Sequence, residues 1–181
     1  TMKKRFLSLL LAVGALCASL AGCLSESVSS DSQNSTPPTS EKIEVVDYVS
    51  QVKLDESAPT LTQEVTVKSY IDGDTTHFYV PASLMPGGVL KARYLAVNTP
   101  ESTGKIEEWG KAASNFTKEK LQNAVSIIIE SDDGKWNLDS TGDRYLVWVW
   151  YKTEGAESYR NLNIEILQNG LAIASNSANN R

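Results

Sequence analysis

The sequence predicts an α+β domain, a small five-stranded β-barrel with helices packed on it. Three observations carry that expectation. Five short segments rich in Val, Ile, Tyr and Thr alternate with turn residues between positions 64 and 151. One stretch between the third and fourth segments switches to the period of an amphipathic helix. No cysteine follows Cys23, so neither disulfides nor thiolate-bound metal can stand in for a hydrophobic core.

The elements follow in order. "EVTVKSYI" (64–71) alternates apolar and polar residues and reads as a half-buried strand. "DGD" (72–74) breaks it, with Gly73 as the turn residue. "TTHFYV" (75–80) is a second strand, stopped by Pro81. After the turn "MPGG" (85–88), "VLKARYLAV" (89–97) forms the third. Pro100 biases "NTPES" (98–102) away from helix. Over 107–123, Trp109, Ala112, Ala113, Phe116, Lys120 and Leu121 fall mostly on one stripe, which predicts a helix. "VSIIIE" (125–130) is the fourth strand, its three isoleucines implying cover on both faces. A polar loop (131–143) leads to the fifth, "RYLVWVWY" (144–151). "NLNIEILQNG" (161–170) reads as a short helix ended by Gly170, and the tail beyond it is polar with no helical stripe. This order makes an OB-fold barrel the economical architecture.

Ahead of the domain, Lys3, Lys4 and Arg5 precede a charge-free apolar run. The run is too short for a stable membrane span and reads as a secretory signal. It closes on Leu20-Ala21-Gly22-Cys23, which resembles the lipobox of bacterial lipoproteins. That resemblance implies cleavage before Cys23, lipid on its sulfur, and a place on the extracytoplasmic face of a bacterial cell membrane. Two acyl chains hold a protein there stably. The expected organisation is a signal peptide and lipobox over 1–23, a disordered Ser/Thr/Pro-rich tether over 24–60, and one domain over 61–181. Within the tether, 47–52 has enough apolar residues for local order. The formal charge is -5, and loss of three basic residues with the leader makes it about -8 (-5 minus 3). An acidic chain is a poor general nucleic-acid binder, so a polyanionic substrate requires a local basic site or a cation.

Four charged residues stand at strand ends beside turns: Asp74, Arg93, Glu101 and Arg144. Arg93 lies inside an apolar strand, where a guanidinium needs a partner. Five stretches surround them in sequence: "YIDGDT", "ARYLAVNTPES", "EEWGKAASNFTKEKLQNA", "GDRYLVWVW" and "NIEILQNGLA". Together, over 65–174, they resemble the staphylococcal-type thermonuclease family. The resemblance implies an OB-fold and calcium-dependent cleavage of DNA and RNA, single strands preferred, by a monomer. By position it implies Asp74 as a calcium carboxylate and Asp72 as an acid supporting it. Thr99 falls where a backbone carbonyl ligates calcium. Glu101 falls on the residue that orients or deprotonates the attacking water, and Arg93 and Arg144 on the two phosphate grips.

The chemistry needs these residue types. A phosphodiester's charge repels a nucleophile, and a dication offsets that charge and acidifies water. Calcium accepts oxygen ligands in a loose shell, without His or Cys. Arginine forks bind two phosphate oxygens and stay charged. The chain departs from the family pattern in three places. Asn98 stands where the family has a second calcium aspartate, which removes a charge and weakens binding. Sites with dissociation constants of about 10⁻⁴ to 10⁻³ M still fill outside the cell. A lysine and a tyrosine usual before the second arginine have no match in "DSTGD". The sequence also ends where the family continues into a last helix, so that helix is expected to be absent. These departures support an alternative: a non-catalytic nuclease-like module binding nucleic acid or protein at the cell surface. His77 reads as a surface strand residue, and Trp148 and Trp150 as packing rather than base-stacking groups.

Overall fold

The computed structural model describes residues 46–176, so Cys23, the leader, most of the tether and residues 177–181 lie outside it. The described elements are α1 (Tyr48–Gln51), β1 (Thr62–Glu64), β2 (Thr66–Asp72), β3 (Thr75–Tyr79), β4 (Val89–Tyr94), β5 (Val97–Asn98), α2 (Gly110–Gln122), β6 (Ala124–Glu130), β7 (Tyr145–Thr153), β8 (Arg160–Asn161), α3 (Leu162–Gln168) and β9 (Ile173–Ala174).

The domain is α+β with a mixed sheet. Its strands run in the order β1-β6-β7-β4-β3-β2, and β8 is added on β7. β4 and β7 pair in parallel and the other neighbours antiparallel. The expectation of a closed five-stranded barrel is corrected, because the hydrogen-bonded path has two ends, β1 and β2. The cause lies at Val65, whose N–H donates to the Ile127 carbonyl at 2.9 Å. There the chain leaves the β6 ladder for the β3 ladder, so the first expected strand is shared between two neighbours.

Period-2 burial decides what each strand delivers. In β4, Leu90, Ala92 and Tyr94 are fully buried, while Lys91 and Arg93 face the other way. The third strand stops sooner than its apolar run suggests. Ala96 turns the chain at φ 64°, a left-handed conformation that costs a non-glycine residue about 1–3 kcal/mol. The buried Asn163 amide supports this turn by donating to Leu95 O at 2.9 Å and Val147 O at 3.1 Å. Its oxygen accepts from Val149 N at 2.9 Å. The three isoleucines of β6 are covered mainly on one face: Ile127 and Ile129 are buried and Ile128 is half-buried. Trp150 is packed as expected, its indole N–H reaching Glu130 Oε2 at 2.7 Å, and Trp148 reaches Asp132 Oδ1 at 3.3 Å.

α2 begins three residues later than expected and buries Gly110, Ala113, Thr117 and Leu121. Trp109 and Ala112 are not on that face. Trp109 is 66 % exposed at φ 69° and caps the helix from outside. Gly110 opens the helix because a Cβ there would overlap the Glu101 carbonyl. Gly73 also has a steric role rather than that of a left-handed turn residue. A Cβ on it would come 2.8 Å from Ala113 Cβ and 2.8 Å from Thr99 Cγ2.

α1 gives the local order expected over 47–52 its form, while the short β8 and β9 were not anticipated. Val49 of α1 is buried, and its N–H donates to Gln168 Oε1 at 3.2 Å. Thr60 donates to Glu130 Oε1 at 2.7 Å. Packing therefore reaches back into the segment assigned to the tether. The polar tail supplies β9, which pairs with β5 and places Ile173 opposite Asn98.

Candidate metal and phosphate site

Six of the seven expected site residues in the described part line one cleft of about 360 Å³: Asp72, Asp74, Arg93, Asn98, Glu101 and Arg144. The seventh, Thr99, lies behind it, 4 % exposed.

The β2–β3 turn brings in the two aspartates, and α2 holds that turn through the Thr117 hydroxyl, which donates to Gly73 O. Asp74 Oδ2 accepts the Thr99 N–H at 2.8 Å and faces Arg93 Nη1 at 2.8 Å. Its Oδ1 accepts the Thr75 hydroxyl at 3.0 Å. These are nearly buried charges, with side-chain exposures of 12 % for Arg93 and 8 % for Asp74. Arg93 thus has the partner that its place in an apolar strand demands. Its guanidinium also donates to Val97 O at 2.9 Å and to Asn98 Oδ1 at 2.9 Å. Asn98 therefore presents its oxygen to the arginine, and Thr99 contributes its N–H to Asp74. The Thr99 hydroxyl is buried without a hydrogen-bond partner.

Glu101 sits on a stapled loop. Its N–H donates to Glu107 Oε2 at 3.1 Å, and its carbonyl accepts the Glu107 N–H at 2.9 Å. Asp72 holds the next residue, accepting the Ser102 N–H at 3.2 Å. The Glu101 carboxyl is pushed above the ordinary carboxylate range. A hydrogen bond with Asp72 is the main cause, followed by burial and by repulsion from Asp72, Asp74 and Glu107.

Arg144 stands at the end of the 131–143 loop, just before β7, the parallel neighbour of β4, and is held by Asp139, with Nε at 2.7 Å and Nη2 at 2.6 Å from Oδ2. Burial works to raise the Asp139 pKa. Bonds from the Thr141 hydroxyl and Arg144 outweigh it and keep the carboxyl below its usual range. His77 and Lys91 also line the cleft, as a cross-strand pair on β3 and β4. The surface reading of His77 overlooked this, and Lys91 was not considered. The signal was available in the strand period, because Lys91 lies two residues before Arg93 and shares its face.

The donors suit calcium in chemistry: all are oxygen, and the mutual repulsion felt by Glu101 is relieved by a cation. Among the described residues no group of three or more His, Cys, Asp or Glu is gathered to hold a metal. A cation here would rely on carbonyl and water oxygens beside the carboxylates.

The cleft thus brings two arginines and the carboxylates of Asp72, Asp74 and Glu101 to one place on the mixed sheet. The chain belongs to the staphylococcal nuclease homologue family, whose model matches residues 91–181. Members of that family are generally phosphodiester-cleaving nucleases. The matched stretch contains Arg93, Asn98, Thr99, Glu101 and Arg144, while Asp72 and Asp74 lie upstream and join them through the fold.

Proposed function

We propose that this chain is a calcium-dependent nuclease that hydrolyses DNA and RNA, held on the extracytoplasmic face of a bacterial membrane by lipid on Cys23. The observation that carries the catalytic reading is the convergence of Asp74, Arg93, Glu101 and Arg144 on one cleft. Calcium, when bound, would be held by Asp74, Asn98 and Thr99 with water, and would supply charge neutralisation and an acidified water. Arg93, on β4, and Arg144, at the loop end before β7, line the same cleft and would take non-bridging phosphate oxygens, stabilising charge that grows in the transition state. Glu101 would orient the attacking water and, when ionised, accept its proton.

The test is hydrolysis of single-stranded DNA and of RNA by the full chain, with calcium or with chelator. Foldedness is followed in parallel by circular dichroism. No calcium-dependent cleavage by folded protein would sink the proposal. Mass spectrometry of the cell-derived protein should find the lipid on Cys23, and an unmodified cysteine there would remove the anchor from the reading. The second reading, a binding module without turnover, is favoured by one observation: Arg93 already has protein acceptors for its donors. It predicts oligonucleotide binding that Glu101→Gln leaves unchanged, with no cleavage by either protein.

A further inference from the structure

We propose that Lys91, supported by His77, forms a contact for the phosphate next to the one held by Arg93, so that the cleft grips a strand at two successive phosphates. This rests on the nuclease reading above for the place of the first phosphate.

Four observations carry it. Lys91 and Arg93 are two residues apart on β4 and on one face, about 6.6 Å along the strand. That spacing resembles the separation of neighbouring phosphates on an extended nucleic-acid strand. Both residues line the same cleft, with His77 directly opposite Lys91 on β3. The third point is how each cation is held. Arg93 is nearly buried and bound by several acceptors, whereas Lys91 is 43 % exposed and its protein acceptors are the oxygens of Asp143, at 2.7 and 2.8 Å. Asp143 is itself 66 % exposed, and an exposed pair of this kind has little net strength. A phosphate can therefore replace it without leaving a buried charge unpaired. Lastly, Asp143 directly precedes Arg144, so release of Lys91 would free the loop beside the second arginine to close on the strand.

His77 supplies a ring N–H donor beside the lysine. Burial, then Lys91 and Lys68, push its pKa below the ordinary histidine value, and Asp143 works the other way. The paired lysine and histidine then give one cation and one ring N–H to the same phosphate, a contact that reads backbone and not base.

The test measures binding of a fluorescent single-stranded oligonucleotide to the full chain in the Glu101→Gln background, across salt concentrations. Hydrolysis by the otherwise unaltered chain is followed alongside. Lys91→Ala should weaken binding about tenfold at low salt. It should also flatten the plot of log affinity against log salt by about 0.7, the share of one phosphate contact on a single strand. Lys91→Arg should restore both. A single uncharged methylphosphonate, stepped along the strand, should weaken binding of the parent protein at two successive positions, and Lys91→Ala should abolish the effect at one of them. Asp143→Asn should tighten binding. An unchanged salt slope together with an unchanged methylphosphonate pattern in Lys91→Ala overturns the contact. If the parent chain binds with a Lys91-dependent slope but never cleaves, the nuclease reading fails and the contact stands. Cleavage with a Lys91-independent slope sinks the contact alone, and absence of binding sinks both.

Discussion

The two walls of the cleft are built differently. On one, Asp74, Arg93, Asn98 and the Thr99 N–H form an interlocked set, nearly buried and fixed by backbone. The other is the loop that ends in Asp143 and Arg144: Asp143 pairs with the exposed Lys91 of β4, and Asp139 holds a partly exposed Arg144. The first wall has its geometry set before any ligand arrives, while the second can exchange the Asp143 carboxylate for phosphate. A charge fixed in place contributes most to a transition state, and a charge on a loop mainly to capture.

The largest effect that separates the walls from the chemistry between them should come from Glu101→Gln. Turnover should fall by about 10²–10⁴ while binding is retained, as measured by single-turnover kinetics. Stability should move the opposite way. The fold raises the Glu101 pKa, so the fold favours the protonated form. The stability that this adds is present below the unfolded pKa and is lost as pH rises through the folded one. At neutral pH the ionised carboxylate is a burden on the fold, and Gln should hold or raise Tm. The acid limb of kcat/KM should lie above the ordinary carboxylate value and move down as calcium is increased.

Asp74→Ala should break the rigid wall. It leaves Arg93 without its charge partner and Thr99 N–H without its acceptor, and removing one partner from a buried pair costs about 3–5 kcal/mol. Urea unfolding measures the loss, and activity should vanish with it. Asn98→Asp sharpens the same wall, because the new carboxylate can keep the Arg93 bond and adds a charge beside Asp74. The calcium concentration for half-maximal cleavage should fall by about tenfold. No movement of that midpoint would remove position 98 from the ligand set. The smallest effect belongs to the loop wall. Asp139→Ala should cost about 1–2 kcal/mol, because its nearly buried carboxylate accepts from Thr141 as well as Arg144, and should raise KM several-fold, since Arg144 loses its aim rather than its charge.

Much of this arrangement was legible in the sequence. The strand runs, the break at 72–74 and the helix from α2 onward follow from side-chain period, because sheet and helix faces must be covered whatever the tertiary detail. The acids and arginines were legible for a second reason: Arg93 inside an apolar strand forces a partner. What was not legible came from contacts between distant segments. Ala96 has no glycine or asparagine to announce a left-handed turn, and the support comes from Asn163, which is 67 residues later (163 minus 96). Trp109 fits an apolar stripe by number, but the helix starts after it because Gly110 must pass the Glu101 carbonyl. The ladder β5–β9 is too short to leave a pattern, and its partner is a polar tail. Lys91 and His77 were available from the strand period alone, since each faces the side that Arg93 faces.

The pairing of β5 with β9 also sets an order of events during synthesis. Asn98 leaves the ribosome 75 residues before Ile173, its strand partner (173 minus 98). Until that tail emerges, the backbone around Asn98 lacks its neighbour, and the rigid wall of the cleft is open along one edge. A nascent chain therefore carries both arginines before it carries the finished wall. The cleft is completed only once β9 has emerged.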